Sequence, residues 1–313
     1  MNQYERVNKL IDYMNLETEK TNPSTRDVDS CSTMEMLHLI NQEDAKVAEA
    51  VKKAIPQIAR AVDAAYEALM QDGHMIYLGA GTSGRLGVLD ASECVPTYGV
   101  EPDLIQGFIA GGDKALRTAV EGCEDDRKLG EEMIIEKGIT WKDIVVGISA
   151  SGTAPFVDAA LAKAGEIGAV TVAIVNNPDS GLKKRADICI EAVTGPEVVS
   201  GSTRMKAGTA QKMILNMLST GVMIKMGRVY KNWMVDLKAS NIKLEDRARR
   251  IFCDVTGRDS QEARQFLEAA GMDTKLAIMM CLSGLDKERA EEQLRDCNGF
   301  LKQALDAAKI YTE

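Results

Sequence analysis

A chain of 313 residues with 45% apolar and 27% charged residues has the make-up of a folded protein with a full core, which excludes wholesale disorder and a fibrous repeat. Its 38 basic against 47 acidic residues give a net charge of −9, which argues against a nucleic-acid partner, so any bound anion has to be held locally. The longest uncharged stretches, 144–157 and 213–224, fall short of the roughly 18 residues a membrane span needs. The opening MNQYERVNKLIDY also lacks the apolar run of a secretory signal, so a cytoplasmic protein with no membrane partner is expected.

The first 42 residues, with seven acids and four bases, form an N-terminal arm that is no DNA-binding headpiece. Asn22-Pro23 marks a turn, and Ser32-Thr33-Met34-Glu35 spells a capping box opening a short helix. From Glu43 to Gln71 apolar residues recur at three and four, which predicts a helix broken or kinked at Pro56 and ended by Gly73. Five short apolar runs follow, at 75–78, 104–109, 144–148, 170–175 and 188–192, alternating with helical segments. That rhythm predicts βαβ units and a parallel sheet with helices on both faces, in an α/β domain over 43–240. Residues 205–226 read as a helix apolar on too many faces to be exposed, hence a core helix or an oligomer contact. A small helical domain over 241–313 completes the chain. Within it Ala263, Leu267, Lys275 and Ala277 recur 27 residues later as Ala290, Leu294, Lys302 and Ala304.

Seven scattered cysteines without a CxxC pair read as reduced thiols. Two histidines, His38 and His74, supply too little material for a histidine-rich metal site or a Ser-His-Asp triad, and structural roles are expected for both.

The chemistry gathers at the strand ends. The first strand runs into Gly79-Ala80-Gly81-Thr82-Ser83-Gly84-Arg85, which has G-x-G-x-x-G spacing but no acidic residue directly after the second strand to take a ribose hydroxyl. Thr82 and Ser83 at a helix start suit a phosphate monoester better than a dinucleotide pyrophosphate. The third strand ends in Ser149-Ala150-Ser151-Gly152-Thr153. With strand order 2-1-3-4-5, both loops face the switch-point crevice where ligands bind such sheets. A third segment, 200–206 (SGSTRMK), brings hydroxyls and two bases to the start of the long helix, where it either closes an anion site or simply caps the helix.

These three segments resemble the sugar isomerase (SIS) fold, a five-stranded parallel three-layer α/β sandwich that binds phosphosugars. GAGTSGRLGVLDASEC (79–94), IAGGDKALRTAVEGCED (109–125), VVSGSTRMKAGTAQKMILNMLSTGVMIKMG (198–227) and MVDLKASNIKL (234–244) further resemble the N-acetylmuramic acid 6-phosphate etherases, over essentially the whole chain. Thr18-Glu19, Asn22 and Ile40-Asn41 with Glu43-Asp44 fit the same pattern. The resemblance implies cleavage of a D-lactyl ether in cell-wall sugar recycling, with catalytic carboxylates at Glu93 and Glu124. It implies substrate contacts at Thr82, Ser83, Ser149, Ser151, Gly152, Thr153 and Ser202, with no metal or cofactor and a homodimer as the assembly. Glu197 is a third carboxylate near the cradle without an assigned role. Val95 departs from a common Cys-Pro-Pro run, and Thr153 stands where some members carry arginine. A sugar-phosphate sensor of the same fold, as in the glucokinase regulatory protein, needs the cradle but no acid/base pair. A phosphosugar isomerase would share only the C2 proton abstraction.

Overall fold

The computed structural model describes residues 15–237 and 242–310. The opening MNQYERVNKLIDY and the domain boundary expected between 240 and 241 lie outside the described residues. The chain divides into a sheet unit, comprising the described residues up to Ser92 with Asp103–Ser219, and a helical unit, comprising Glu93–Pro102 with the described residues from Thr220 onward.

In the sheet unit, Ser32 opens α1 (Thr33–Asp44) through the expected capping box, its side chain accepting from the Glu35 amide while Glu35 accepts from the Ser32 amide. Next come α2 (Val47–Lys53) and α3 (Ile55–Leu69), separated at Ala54, with Pro56 in the first turn of α3, where its missing N–H costs nothing. Then follow β1 (Met75–Gly79), α4 (Gly81–Tyr98), β2 (Ile105–Ile109), the short α5 (Lys114–Arg117), α6 (Arg127–Glu136), β3 (Ile144–Ser149), α7 (Pro155–Ile167), β4 (Val170–Val175), β5 (Ile188–Glu191) and α8 (Lys206–Lys225).

The five strands are all parallel in the order β2-β1-β3-β4-β5, with Met75 opposite Ile105 on one side and Ile144 on the other. Both faces are covered, so β1 and β3 are buried along their whole length, as continuous apolar runs require. Ile76, Leu78, Val145, Ala173 and Val175 pack with Ile134 of α6 and Phe156, Val157 and Leu161 of α7. Helix α3 touches β1, β3 and β5. Helix α8 is a core helix along Ala207, Ala210, Ile214, Leu215 and Leu218, while Met217 remains 38% exposed.

The helical unit takes in the ends of α4 and α8, and α8 is followed by a hairpin absent from the sequence expectation, β6 (Val229–Tyr230) paired antiparallel with β7 (Trp233–Met234). Helices α9 (Ile242–Thr256), α10 (Ser260–Ala269), α11 (Thr274–Ser283), α12 (Lys287–Asp296) and α13 (Leu301–Ile310) follow. The 27-residue repeat is structural. Asp259 and Asp286 cap α10 and α12, and Gly271-Met272 and Asn298-Gly299 are matching pairs of left-handed residues before the second helix of each hairpin. Ala263, Ala277, Ala290 and Ala304 are all fully buried. The repeat breaks at its lysines. Lys302 is exposed, whereas Lys275 is buried and donates to Asp236 Oδ2 (2.7 Å) and to the carbonyls of Gly227 and Gly299 (3.0 Å each).

Candidate functional site

A cavity of about 280 Å³ opens at the C-terminal ends of β1 and β3, where the strand order reverses. Thr82, Ser83, Ser149 and Ser151 line it together with Glu124, and Glu19 and Thr203 complete its polar side chains. Hollows of about 510 and 530 Å³ lie in the helical unit. One is lined mainly by helix side chains and the other by the β6–β7 hairpin and α13, and neither lies at the strand ends where ligands bind this fold class.

The β1 loop is held tight by its glycines. A Cβ on Gly84 would sit 2.5 Å from the Gly79 carbonyl oxygen, so only glycine lets the first turn of α4 close onto the strand end. The first-turn amides of α4 have no carbonyl of their own helix to bond, which makes this end an anion cradle. Ser83 is nearly buried, and its hydroxyl donates to Gln211 Oε1 at 2.9 Å. Gln211 in turn donates to Asn176 Oδ1 (3.0 Å), and Asn176 to the Ala192 carbonyl (2.9 Å). A buried amide chain from α8 to the ends of β4 and β5 therefore fixes the loop from beneath.

The β3 loop is organised by its own hydroxyls. Ser149 Oγ accepts from the Gly152 amide (3.1 Å), and Ser151 Oγ lies 2.8 Å from Thr153 Oγ1. Gly152 has φ +70°, and a Cβ there would meet Ser180 Cβ at 2.4 Å. Its part is to let the loop turn. Thr203 is among the lining residues, whereas Gly152, Thr153 and Ser202 are not.

No described lysine or arginine lines the cavity. Arg85 donates to the Ala115 and Leu116 carbonyls at the end of α5 (2.7 and 3.0 Å). Lys206, 1% exposed, donates to Glu43 Oε2 (2.7 Å). The segment 200–206 therefore delivers Thr203 to the cavity but not its lysine. Glu197 gains a role that its sequence neighbours did not suggest. Fully buried, it accepts from the backbone amides of Lys206 and Ala207 (2.9 Å each) and caps α8.

Of the two carboxylates expected to be catalytic, Glu124 lines the cavity, carried on a 3₁₀ turn (Cys123–Asp125) entered through Gly122 at φ +80°. Although its surface is open to solvent, enough protein surrounds the carboxyl that burial, and after it the neighbouring Asp125 charge, raises its pKa above the ordinary glutamate value. Glu93 is an exposed residue of α4 and falls in the helical unit. One turn earlier, Asp90 is buried and accepts from Asn216 Nδ2 (2.6 Å) and Ser219 Oγ (3.2 Å) on α8.

Both histidines lie outside this site. His74 hydrogen-bonds Asp143 through its amide (2.8 Å) and Nδ1 (2.9 Å) ahead of β1. None of the seven cysteines forms a disulfide.

Fold and cradle together define a SIS-domain protein of the phosphosugar-binding class. Residues 136–221 match the SIS domain model, residues 57–164 the model of the glucokinase regulatory protein N-terminal SIS domain, and residues 250–282 a UBA-like domain model. The chain belongs to the N-acetylmuramic acid 6-phosphate etherase family. It is 52% identical over 290 residues to the etherase of Pectobacterium atrosepticum, covering 93% of this chain and 96% of the relative. It is 51% identical to that of Clostridium beijerinckii, covering 94% and 97%. Among solved structures, a phosphoheptose isomerase from Francisella tularensis aligns with a TM-score of 0.49 at 17% identity, covering 62% of this chain and 100% of that one.

Proposed function

We propose that this protein cleaves the D-lactyl ether of N-acetylmuramic acid 6-phosphate, giving N-acetylglucosamine 6-phosphate and D-lactate. The observation that carries this reading is near-full-length identity of about half to proteins of that name, in a chain whose hydroxyl-lined cradle also holds a carboxyl of raised pKa. In the open-chain sugar the C2 proton is α to the C1 aldehyde and the lactyl oxygen is β to it. A base removes that proton, the C3–O bond breaks as the C2–C3 double bond forms, and lactate leaves with a proton from the acid. Water then adds at C3 while C2 is reprotonated, restoring the aldehyde's saturated chain. Neither step needs a metal or a nucleotide.

A carboxyl that keeps its proton at higher pH is suited to donate it, so Glu124 is assigned to the C3 oxygen and Glu93 to the C2 proton. Thr82, Ser83, Ser149 and Ser151, which line the cavity, are assigned to the phosphosugar, with Thr153 acting through Ser151, Gly152 turning the β3 loop and Ser202 in the segment that delivers Thr203. Met34 and Leu37 on α1 and Met217 on α8 are apolar and exposed, which favours a homodimer. No described helix is long and apolar enough to cross a membrane, and a cytoplasmic site of action fits a phosphorylated substrate.

Incubating the purified protein with N-acetylmuramic acid 6-phosphate after exhaustive chelation is expected to release D-lactate without added nucleotide. In heavy-oxygen water the label is expected at C3 of the sugar. Label in lactate overturns elimination, and absence of lactate overturns the enzyme in favour of the sugar-phosphate regulator that the 57–164 match brings to mind.

A further inference from the structure

Glu19 enters the cavity from the N-terminal arm, far in sequence from the loops it meets. It ends a 3₁₀ turn (Glu17–Glu19) closed by its own amide on the Leu16 carbonyl (3.0 Å). The residues around it are bolted down. Thr18 is fully buried, its amide donating to Asn177 Oδ1 (3.3 Å) and its hydroxyl accepting from Asn177 Nδ2 (2.9 Å). That same Nδ2 donates to the carbonyl of Ala150, inside the β3 loop (3.0 Å). Three residues on, buried Asn22 donates to the Pro196 carbonyl (3.3 Å) and Thr25 to the Val198 carbonyl (2.9 Å). The arm is thus a strap whose anchors place Glu19 relative to the loop hydroxyls, while Glu19 itself stays exposed on the cavity wall.

Among the described residues nothing uses the carboxylate so placed. Lys20 pairs with Glu17, and no described residue forms an ion pair or side-chain hydrogen bond with Glu19. Its Oε2 lies where a Cβ on Gly201 would be 3.3 Å away, so the bare glycine backbone leaves the group its room. A carboxylate is acceptor-only and repels a phosphate dianion, so it calls for a neutral donor beside it. A sugar phosphate lodged in the cavity with its phosphate on the hydroxyls and helix amides has only neutral donors left, several hydroxyl groups and one acetamido N–H, so hydroxyls are most of what a carboxylate there can meet. The geometry points to Glu19 as a substrate-contacting residue that accepts hydrogen bonds from the sugar's hydroxyls and sets which way the sugar lies between the phosphate cradle and Glu124. This rests on the proposed reading that the cavity takes an amino-sugar 6-phosphate.

The test compares wild type, Glu19→Gln and Glu19→Ala by calorimetric binding of N-acetylglucosamine 6-phosphate, by competition with inorganic phosphate, and by thermal melting. Hydrogen bonds to a charged group are worth about 10- to 150-fold in affinity. Glu19→Ala is expected to weaken sugar-phosphate binding within that range and to raise KM alike, with Glu19→Gln between it and wild type. Inorganic phosphate should bind both variants at least as well as wild type, and the melting temperature should hold. Unchanged sugar-phosphate affinity in Glu19→Ala overturns the inference. So does a parallel loss of inorganic phosphate or a fall in melting temperature, either of which makes Glu19 a support of the cavity wall. The two readings fail separately: wild type that neither binds this sugar phosphate nor releases lactate refutes the etherase reading, whereas an active wild type with an indifferent Glu19→Ala refutes only this one.

Discussion

Lys206 in the sheet unit and Lys275 in the helical unit are both buried, and each is paired with a carboxylate at 2.7 Å. Their surroundings differ. Lys206 reaches Glu43, which also takes a hydrogen bond from Lys46 and has the side chain of Asn22, on the strap, beside it, so this ion pair sits under the segment that brings Glu19 to the cavity. Lys275 reaches Asp236, which also pairs with Arg228 (3.1 Å), and two carbonyls, tying the β6–β7 hairpin to the helical repeat with no cavity loop attached. The same buried chemistry therefore serves a site in one unit and only packing in the other.

The carboxylates give the sharpest way to break that contrast, because a catalytic group should cost rate and no stability. General acid-base catalysis contributes about 10²- to 10⁴-fold. Glu124→Gln and Glu93→Gln are each expected to lower kcat by at least ~10²-fold with the melting temperature unchanged. Because burial raises the Glu124 pKa, its acid form persists above the ordinary glutamate range, and the alkaline fall in kcat should lie correspondingly high. In Glu124→Gln that limb should vanish. Near-normal turnover in either variant would remove that residue from the mechanism.

The buried lysines come next. Removing one partner of a buried pair costs about 3–5 kcal/mol, whereas replacing both by apolar groups is often neutral. Lys206→Met and Lys275→Met should each destabilise by about that amount in denaturant titration, and Glu43→Leu/Lys206→Met should recover most of it. Only the Lys206 series should still show a raised KM after recovery, since the strap has lost the carboxylate beside Asn22. Burial opposes ionisation of Glu43, but hydrogen bonds from Lys206, Lys46 and Asn22 outweigh it and hold its pKa below the ordinary value. The pair's contribution is therefore present above the usual glutamate range and lost as pH falls through the depressed value. Lys206→Met should flatten that acid limb of stability, and an equal KM rise in the Lys275 series would collapse the distinction.

Ser83→Ala should have a smaller effect than these. It removes a donor chain to Gln211 as well as a lining hydroxyl, and a roughly 10- to 150-fold rise in KM is expected, with Thr153→Ala milder because Thr153 acts through Ser151. Equal kcat/KM for phosphorylated and unphosphorylated N-acetylmuramic acid would mean the cradle holds something other than phosphate.

What the sequence made legible follows the same line between local and distant. All five strands lie within a residue or so of their apolar runs, since a buried parallel strand needs an uninterrupted run and the small or polar residues after it stop it. The two hydroxyl loops were readable because strand, glycine and helix start are contiguous. Pro56 marked its break because proline acts on its own turn. The β6–β7 hairpin escaped notice because each strand is two residues long and its turn uses Lys231 at φ +54° in place of glycine. The pairings of Gln211, Asn176 and Asn177 could not be read locally because they span 35, 128 and 159 residues. Glu19 sat in the matched Thr18-Glu19 segment with nothing local to mark it as part of the cavity. Asn176-Asn177, two amides directly after β4, was a signal that strand-end chemistry could have picked up.

The smallest effect probes the helical unit against itself. Asp259 and Asp286 occupy equivalent positions in the two copies of the repeat, each a side-chain cap accepting backbone amides, at 2.8 and 2.9 Å for Asp259 and 3.0 Å for Asp286. An N-cap lost to alanine costs about 0.5–2 kcal/mol. If the repeat folds as one cooperative body, Asp259→Ala and Asp286→Ala should lower its stability by similar amounts, near 1 kcal/mol, and leave lactate release untouched. The copies differ at one place that matters. The hairpin containing Asp259 also holds Lys275, while its counterpart in the second hairpin is the exposed Lys302. With Lys275 anchoring the first hairpin to Asp236, the second is the one free to fray, and amide exchange should show Asp286→Ala loosening α12 and α13 locally. In the Lys275→Met background that asymmetry should disappear, because both hairpins then rest on their alanine and leucine contacts alone. If the asymmetry survives there, the buried lysine is not what separates the two copies.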